Sequence, residues 1–292
     1  MTIDRPHVIV SSMYNGEISA KYLIKNVFDE VDEFILTEAA ITHSGISKPF
    51  YFYKHHLADF APYRGKLTIL QIDHFPEMPE GWDPYSGMPE KEKHAWFREF
   101  YQRNVVTEYL DINYKNKKYI LFCSDADEIL NKATMVQTID RATVDYNVFD
   151  SPHYLEMDQF NYNFTWKIRD KWILAFVCNG NALRISMPTE IRIQSRDATD
   201  DYIIRDGGWH CSYFASLKDI VRKIESYAHR ELDHPVVRAE GHIRKCIKEG
   251  KDIFGPISNK PYRGDTKFSK NDPSQLPKVL LEFHAEVLSV QT

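Results

Sequence analysis

Hydrophobic and polar positions follow two alternating textures over residues 1–130. Apolar, β-rich runs at His7–Met13, Glu33–Ala39, Lys66–Asp73 and Lys118–Ser124 predict strands. Between them, apolar residues recur at helical spacing over roughly Ile18–Asp29, Tyr51–Phe60 and Glu90–Leu110. This alternation predicts βαβ units, an α/β fold whose parallel sheet carries helices on its faces. The run Tyr119-Ile120-Leu121-Phe122-Cys123 is apolar at every position, as a strand covered on both faces requires. Ligands of such sheets bind beyond the carboxyl ends of the strands, so the polar residues just after each run deserve reading.

The pattern changes over residues 145–214. Val148–Leu155, Gln159–Ile168, Lys171–Val177, Ala182–Met187 and Ile203–Phe214 read as strands, with turn signals at Arg169-Asp170 and Asn179-Gly180-Asn181. No Gly/Ser/Pro linker precedes them, so the expectation is an antiparallel region appended to the same sheet. That makes 1–292 a single domain, with halves at 7–130 and 145–255 and a tail at 256–292. Ser216-Leu217-Lys218-Asp219 resembles a capping box, and Leu217, Ile220, Val221 and Ile224 share one helical face. Pro235 opens a further helix that carries Val236, Val237, Ile243 and Ile247 and stops at Gly250. Gly255–Pro277 is polar and turn-rich, a predicted surface loop, and Leu276–Val290 predicts a last short helix.

Composition narrows the functional classes. A chain of 292 residues with 43% hydrophobic and 27% charged residues is long enough for a sizeable core, and neither disordered nor coiled-coil in character. Lys+Arg 37 against Asp+Glu 42 leaves a net charge of -5, with no basic block able to track a phosphate backbone, so nucleic acid is not the expected partner. The 17 Tyr, 17 Phe and 5 Trp supply faces for sugars or bases, although a ring-rich core accounts for most of them. Cys123, Cys178, Cys211 and Cys246 lie too far apart for a zinc knuckle or a disulfide scaffold. Reduced thiols in a cytosol-like compartment are the simpler expectation. The apolar run in MTIDRPHVIVSSMYNGE is too short for a signal peptide or membrane anchor, so a soluble, cytoplasmic protein with no membrane span is expected.

The sharpest chemical feature is Ser124-Asp125-Ala126-Asp127-Glu128, directly after the fourth buried run. Two carboxylates two residues apart can share a hard Mg²⁺ or Mn²⁺ ion, which is normally shared in turn with a diphosphate. The alternative is a turn whose acids cap the helix beginning near Asn131. A second feature is Gly207-Gly208-Trp209-His210-Cys211-Ser212-Tyr213-Phe214. Its glycines allow close backbone approach to a ligand, Trp209 offers a face for a sugar, and His210 offers a nitrogen to the cation. The competing reading is a β-bulge with a buried Trp and a satisfied core His. Glu38 and Asp73 end the second and third runs, where ribose hydroxyls or base edges would sit, but loop acids are commonly just solvated. Arg103 could clamp a diphosphate bidentately, or simply pair with Glu99 one helical turn away. Glu156 and Asp158 are candidates for a general base, or ordinary exposed acids. His229 and His234 could face phosphate or sit at a solvated helix end. Asn163-Phe164-Thr165 is a formal glycosylation sequon.

Val31–Glu38, Lys48-Pro49, Ile72-Asp73-His74-Phe75-Pro76, Gly81-Trp82, Ser124–Ile129 and Gly208–Ser212 occur in that order. Together they resemble glycosyltransferase family 17, which includes the β-1,4-mannosyl-glycoprotein N-acetylglucosaminyltransferase that adds bisecting GlcNAc. The likeness runs from about residue 8 to about residue 255. It implies a GT-A-like nucleotide-diphospho-sugar transferase fold, with a mixed, mostly parallel sheet flanked by helices. It also implies a UDP-sugar donor, UDP-GlcNAc above all, inversion at the anomeric carbon, and a glycan or other hydroxyl acceptor. Members on the secretory pathway carry a membrane anchor and act on N-glycans. With neither anchor nor signal in this sequence, the expected acceptor is a microbial or viral glycan, a lipid-linked sugar or a small molecule. Under this resemblance Asp127 would ligate Mn²⁺ or Mg²⁺, Asp125 would touch metal or ribose, and His210 would complete the shell. Glu38 and Asp73 would hold the uridine end, Arg103 the diphosphate, Trp209 the sugar, and Glu156 or Asp158 would act as base. Two other classes compete: a haloacid-dehalogenase-like phosphohydrolase using Asp125 as nucleophile, and a non-catalytic protein binding sugar nucleotides or glycans.

Overall fold

The computed structural model describes residues 5–257 and 267–291. At its centre lie four parallel strands, β1 (His7–Met13), β2 (Glu33–Ala39), β3 (Leu67–Ile72) and β4 (Tyr119–Cys123), in the spatial order β3-β2-β1-β4. In β1, β2 and β4 the side chains alternate between two covered faces, while β3, last in the sheet order, is only partly buried. Val8, Val10, Phe34, Leu36, Ile120 and Phe122 enter one core, and Ile9, Ile35, Leu121 and Cys123 enter another. A strand buried on both faces has no place for a polar stripe, which is why Tyr119–Cys123 of β4, buried at every position, reads as continuously apolar.

Helices α1 (Ser19–Val27), α2 (Glu90–Asn104), α3 (Val106–Asn113) and α4 (Lys132–Val144) serve this part of the sheet. Residues of α1 and α4, including Leu23 and Ile139, fill the first core, while Val106 and Leu110 of α3 fill the second. The expected helix over Glu90–Leu110 is thus two helices that meet at Val105. The helix expected over Tyr51–Phe60 contracts to one π-helical turn at Phe52–His56.

The second half extends the same sheet through β5 (Glu128–Leu130), β6 (His153–Asn161), β7 (Trp166–Trp172), β8 (Phe176–Asn179), β9 (Ile203–Ser212) and β10 (Phe268–Lys270). β8 runs antiparallel to β4, and the order continues as β8-β6-β7-β10. β9 lies parallel to β6 and antiparallel to β5. The result is a mixed α/β sheet, parallel at its centre and flanked by helices, compatible with a GT-A-like fold.

Two local expectations fail for identifiable reasons. Ala182–Met187 is not a strand, because the Asn179 side chain accepts the N–H groups of Asn181 and Ala182 and starts the short helix α5 (Gly180–Leu183). Helix α6 (Pro188–Gln194) follows, with its proline in the first turn. Arg169-Asp170 is no turn either, for it lies inside β7.

The remaining helices are α7 (Leu217–Ser226), α8 (Pro235–Arg238), α9 (Glu240–Glu249) and α10 (Lys278–Gln291). Ser216 caps α7 by accepting the Asp219 N–H, as its sequence suggests. Ile220, Ile224, Val237 and Ile243 from α7, α8 and α9 build a third core. Gly250 ends α9 at φ +62°, against Trp166, where a Cβ would lie 2.3 Å from a ring atom. Helix α10 packs Leu280 and Phe283 onto the first core. The loop expected over Gly255–Pro277 contains β10 in its described part, and its positions 258–266 lie outside the described residues. All four cysteines are buried, and none is in a disulfide. No described helix is long and apolar enough to cross a membrane.

Candidate active site

From β1 the chain proceeds to β2 and β3 on one side, then returns to β4 on the other. The carboxyl ends of β1 and β4 therefore flank the topological switch point, where open α/β sheets bind ligands. The two ends are tied: the Ser124 N–H donates to Ser11 O at 3.1 Å, and the Ser12 and Ser124 hydroxyls lie 3.4 Å apart. A cavity of about 330 Å³ opens above them, with Asp125, Asp127, Arg103, Arg192, His210 and Lys223 in its lining.

The acidic turn is anchored by its last residue. Glu128 is 0% exposed. It accepts the Asp125 N–H at 2.7 Å and two hydrogen bonds from Arg192, at 2.9 and 2.8 Å. The Trp172 indole N–H donates to it as well. Arg192 also reaches Asp125 at 2.9 Å, and Arg103 bridges Asp125 and Glu99, each at 3.2 Å. Burial works against ionising Asp125, but Arg192 and Arg103 outweigh it and hold the carboxyl well below its usual range.

The imidazole reaches this turn through strand register. β5 and β9 pair Glu128 with His210, and the Cys211 N–H donates to Asp127 O at 2.7 Å. His210 Nε2 thereby lies 3.9 Å from Asp127 Oδ2. Its ring stacks on Trp172, centroids 4.0 Å apart. Burial pushes the His210 pKa down despite the neighbouring carboxylates, which favours the neutral ring. On the other side of Asp127, Lys223 Nζ donates to Oδ2 at 2.6 Å. Burial would raise the Asp127 pKa, yet Lys223 and His210 bring it below the ordinary value.

Glycines make this register possible. At Gly208, with φ +145°, a Cβ would lie 2.0 Å from Ile129 O, and at Gly207 a Cβ would lie 2.6 Å from the Leu155 Cβ. The close approach they permit is to strands β5 and β6, where the sequence suggests a ligand.

Asp125, Asp127, His210 and Arg103 are brought together; Glu38, Asp73, Trp209, Glu156, Asp158 and His234 are not among the residues lining the cavity. Glu38 is buried, where it pairs with Lys48 at 3.0 Å and accepts the N–H groups of Tyr51 and Phe52, pinning the loop after β2. Asp73 is exposed after β3. Trp209, one residue from His210, packs against the first core and does not line the cavity, whereas Trp172, packed against the same core, does line it. On β6, Asp158 bonds Lys167 and Lys171, both at 2.8 Å, and Glu156 lies 3.4 Å from Arg205. His229 does line the cavity, beside Trp96, while His234 accepts the Val236 N–H. Asn163 of the sequon is buried. At the acidic turn, the helix that follows is capped by Asn131 through the Ala133 N–H, not by the aspartates.

Sequence reading passed over Arg192, Lys223 and Glu17. Arg192 had one signal, a lone cation between Ile191 and Ile193 behind a proline. Lys223 sits beside the apolar stripe of α7 and gave none. Glu17 is partly buried, accepts the Asn15 N–H at 2.6 Å, and is pushed to a higher pKa by burial. Glu17, Asp127 and Lys223 also line a second cavity of about 480 Å³ adjoining the first.

Tyr14 Oη, Asn15 Oδ1, Arg103 Nε, Thr189 Oγ1 and His210 Nδ1 are buried without hydrogen-bond partners, and all five belong to residues that line the cavity. Buried polar atoms are normally satisfied, so a cluster of orphans marks a place for a polar ligand. Among the described residues, no three His, Cys, Asp or Glu side chains gather as a cage for a metal ion. Asp127 and His210 nevertheless suit a divalent ion: an ionised carboxylate and, 3.9 Å away, the Nε2 of a neutral imidazole, whose neighbour there is the Ser212 hydroxyl at 3.2 Å. Mg²⁺-type sites often take only one or two protein ligands and draw the rest from substrate phosphates and water.

The sequence model of glycosyltransferase family 17 matches residues 6–263. No curated protein matches the chain.

Proposed function

The chain belongs to glycosyltransferase family 17, and from that premise we propose that the cavity at the switch point takes a UDP-sugar, UDP-GlcNAc above all, and passes its sugar to a hydroxyl acceptor with inversion. The observation that carries this reading is the convergence of the acidic turn, His210 and the unsatisfied polar atoms on one cavity at the β1/β4 switch point. Asp127 and His210 would hold Mn²⁺ or Mg²⁺. When bound, the ion supplies positive charge against the departing diphosphate.

The chain's own groups do the rest. Arg103 and Arg192 fix Asp125, and with it the turn that presents Asp127. Their guanidiniums also add positive potential where the diphosphate would lie. Trp172 and Tyr213 line the cavity, where aromatic side chains suit sugar rings. Glu17 lines both cavities and is held by burial toward the pKa range of a working base. It would take the proton from the acceptor hydroxyl as that oxygen attacks. A phosphohydrolase would need Asp125 free as a nucleophile, but arginines engage both of its oxygens.

The test is UDP release from UDP-GlcNAc with Mn²⁺ or with EDTA, in wild type and Asp127→Ala, after a thermal-shift screen of sugar nucleotides. Donor-dependent stabilisation, and release that falls about 100-fold or more in the variant, are expected. No stabilisation by any sugar nucleotide would sink the donor assignment, and full turnover by Asp127→Ala would sink the role of that carboxylate.

A further inference from the structure

The two aspartates of the acidic turn are neutralised in different ways. Asp125 is gripped by Arg103 and Arg192, which are 7% and 6% exposed. Each of these arginines is tied to a second carboxylate, Glu99 or Glu128. Neither can leave without stranding a buried charge. Asp127 has a different partner. Lys223 is 30% exposed and stands between the two cavities, and among the described residues the hydrogen bond of its Nζ runs to Asp127. A lysine head on a flexible stem can move where a forked arginine cannot.

The ammonium and the proposed divalent ion need the same carboxylate. Asp127 Oδ2 carries Lys223 Nζ at 2.6 Å and faces His210 Nε2 at 3.9 Å. Two cations cannot share one buried oxygen without strong mutual repulsion. We propose that Lys223 is a resident counter-cation. It holds Asp127 while the divalent ion is away, and it is expelled when the ion binds. The expelled ammonium, still lining the cavity, becomes available to the nucleotide diphosphate. Ion and diphosphate binding are then coupled through one side chain, each strengthening the other by the same factor. This inference rests on the sugar-nucleotide reading of the cavity, and Lys223 acts in it as a positioning and binding residue.

The experiment measures Mn²⁺ affinity, by the paramagnetic resonance of the free ion, in the wild type, Lys223→Met and Lys223→Arg without nucleotide and then with UDP. Removing the ammonium frees Asp127, so Lys223→Met should bind Mn²⁺ about tenfold more tightly than the wild type in the absence of UDP. The wild type should gain Mn²⁺ affinity when UDP is added, and Lys223→Met should gain much less. Lys223→Arg keeps the charge and should keep the weak wild-type affinity, which also controls for folding. Unchanged or weaker Mn²⁺ binding by Lys223→Met overturns the proposal, as does failure of all three proteins to bind Mn²⁺. UDP-sugar binding in EDTA is read separately: if it persists when the Mn²⁺ arm fails, the glycosyltransferase reading stands and only this coupling falls. If Lys223→Met binds Mn²⁺ more tightly but no protein binds UDP, the competition for Asp127 is upheld and the donor assignment falls.

Discussion

Arg192 closes on Glu128 with two parallel hydrogen bonds, 2.9 and 2.8 Å long, in a place where the carboxylate sees no solvent at all. The pair spans 64 residues of chain and joins α6 to the acidic turn. Losing one member strands the other as a buried charge. Arg192→Met or Glu128→Gln should therefore cost about 3–5 kcal/mol of stability in urea denaturation. The double variant should lose less than the sum of the two. A single-variant loss below about 1 kcal/mol would mean that the pair is solvated in solution.

Glu17 and the β6 acids make opposite predictions for acceptor chemistry. Glu17→Gln should keep UDP binding by calorimetry while transfer falls by about 10²–10⁴-fold. Glu156→Gln and Asp158→Asn, whose carboxylates engage Arg205, Lys167 and Lys171, should transfer nearly as the wild type does. Transfer by Glu17→Gln at the wild-type rate would return the search for the base to other residues.

Gly208 tests the register that delivers His210. A methyl group there would sit 2.0 Å from Ile129 O, and the φ of +145° is one that side chains avoid. Gly208→Ala should force β9 away from β5, with a loss of about 1–3 kcal/mol or more. It should also weaken Mn²⁺ binding, because that pairing sets His210 beside the acidic turn. An unshifted melting temperature with wild-type Mn²⁺ affinity would contradict this.

Acidification should weaken the fold through buried histidines before it reaches the carboxylates. Burial lowers the pKa of His43 and of His153, so both are more readily protonated in the unfolded chain. Their contribution is complete above about pH 6.5, the unfolded value, and is lost as pH falls through the lower folded values. Asp125 and Asp127 are shifted downward as acids, so their contribution persists until the pH nears about 3.8 and below. Melting temperature should thus decline between about pH 7 and pH 5, by about 2 °C for each kcal/mol lost. His153→Gln lies away from the cavity and should flatten part of that decline. A melting temperature that holds or rises on acidification would refute the assignment of neutral histidines.

Much of this protein is local and was therefore legible in its sequence. The four central strands fall close to their predicted bounds because each is a short apolar-rich run, and Tyr119–Cys123, covered on both faces, is apolar throughout. Ser216 and Gly250 mark helix ends because capping and left-handed backbone act over a few residues. The placement of Asp125 and Asp127 beyond β4 follows from the same rule of strand ends. What the tertiary structure decided is which groups meet there. Trp209 and Trp172 are equally aromatic in sequence and both pack against the first core, but only Trp172 also lines the cavity and stacks on His210. Glu38 reads as a ligand-facing acid, yet Lys48 and two backbone amides enclose it. Lys223 lies 96 residues from Asp127 and Arg192 lies 67 from Asp125, distances over which no periodicity or capping preference speaks. Charge pairing across such separations is set by how the sheet and its helices pack, because only packing brings those side chains within reach and removes the water that would otherwise screen them.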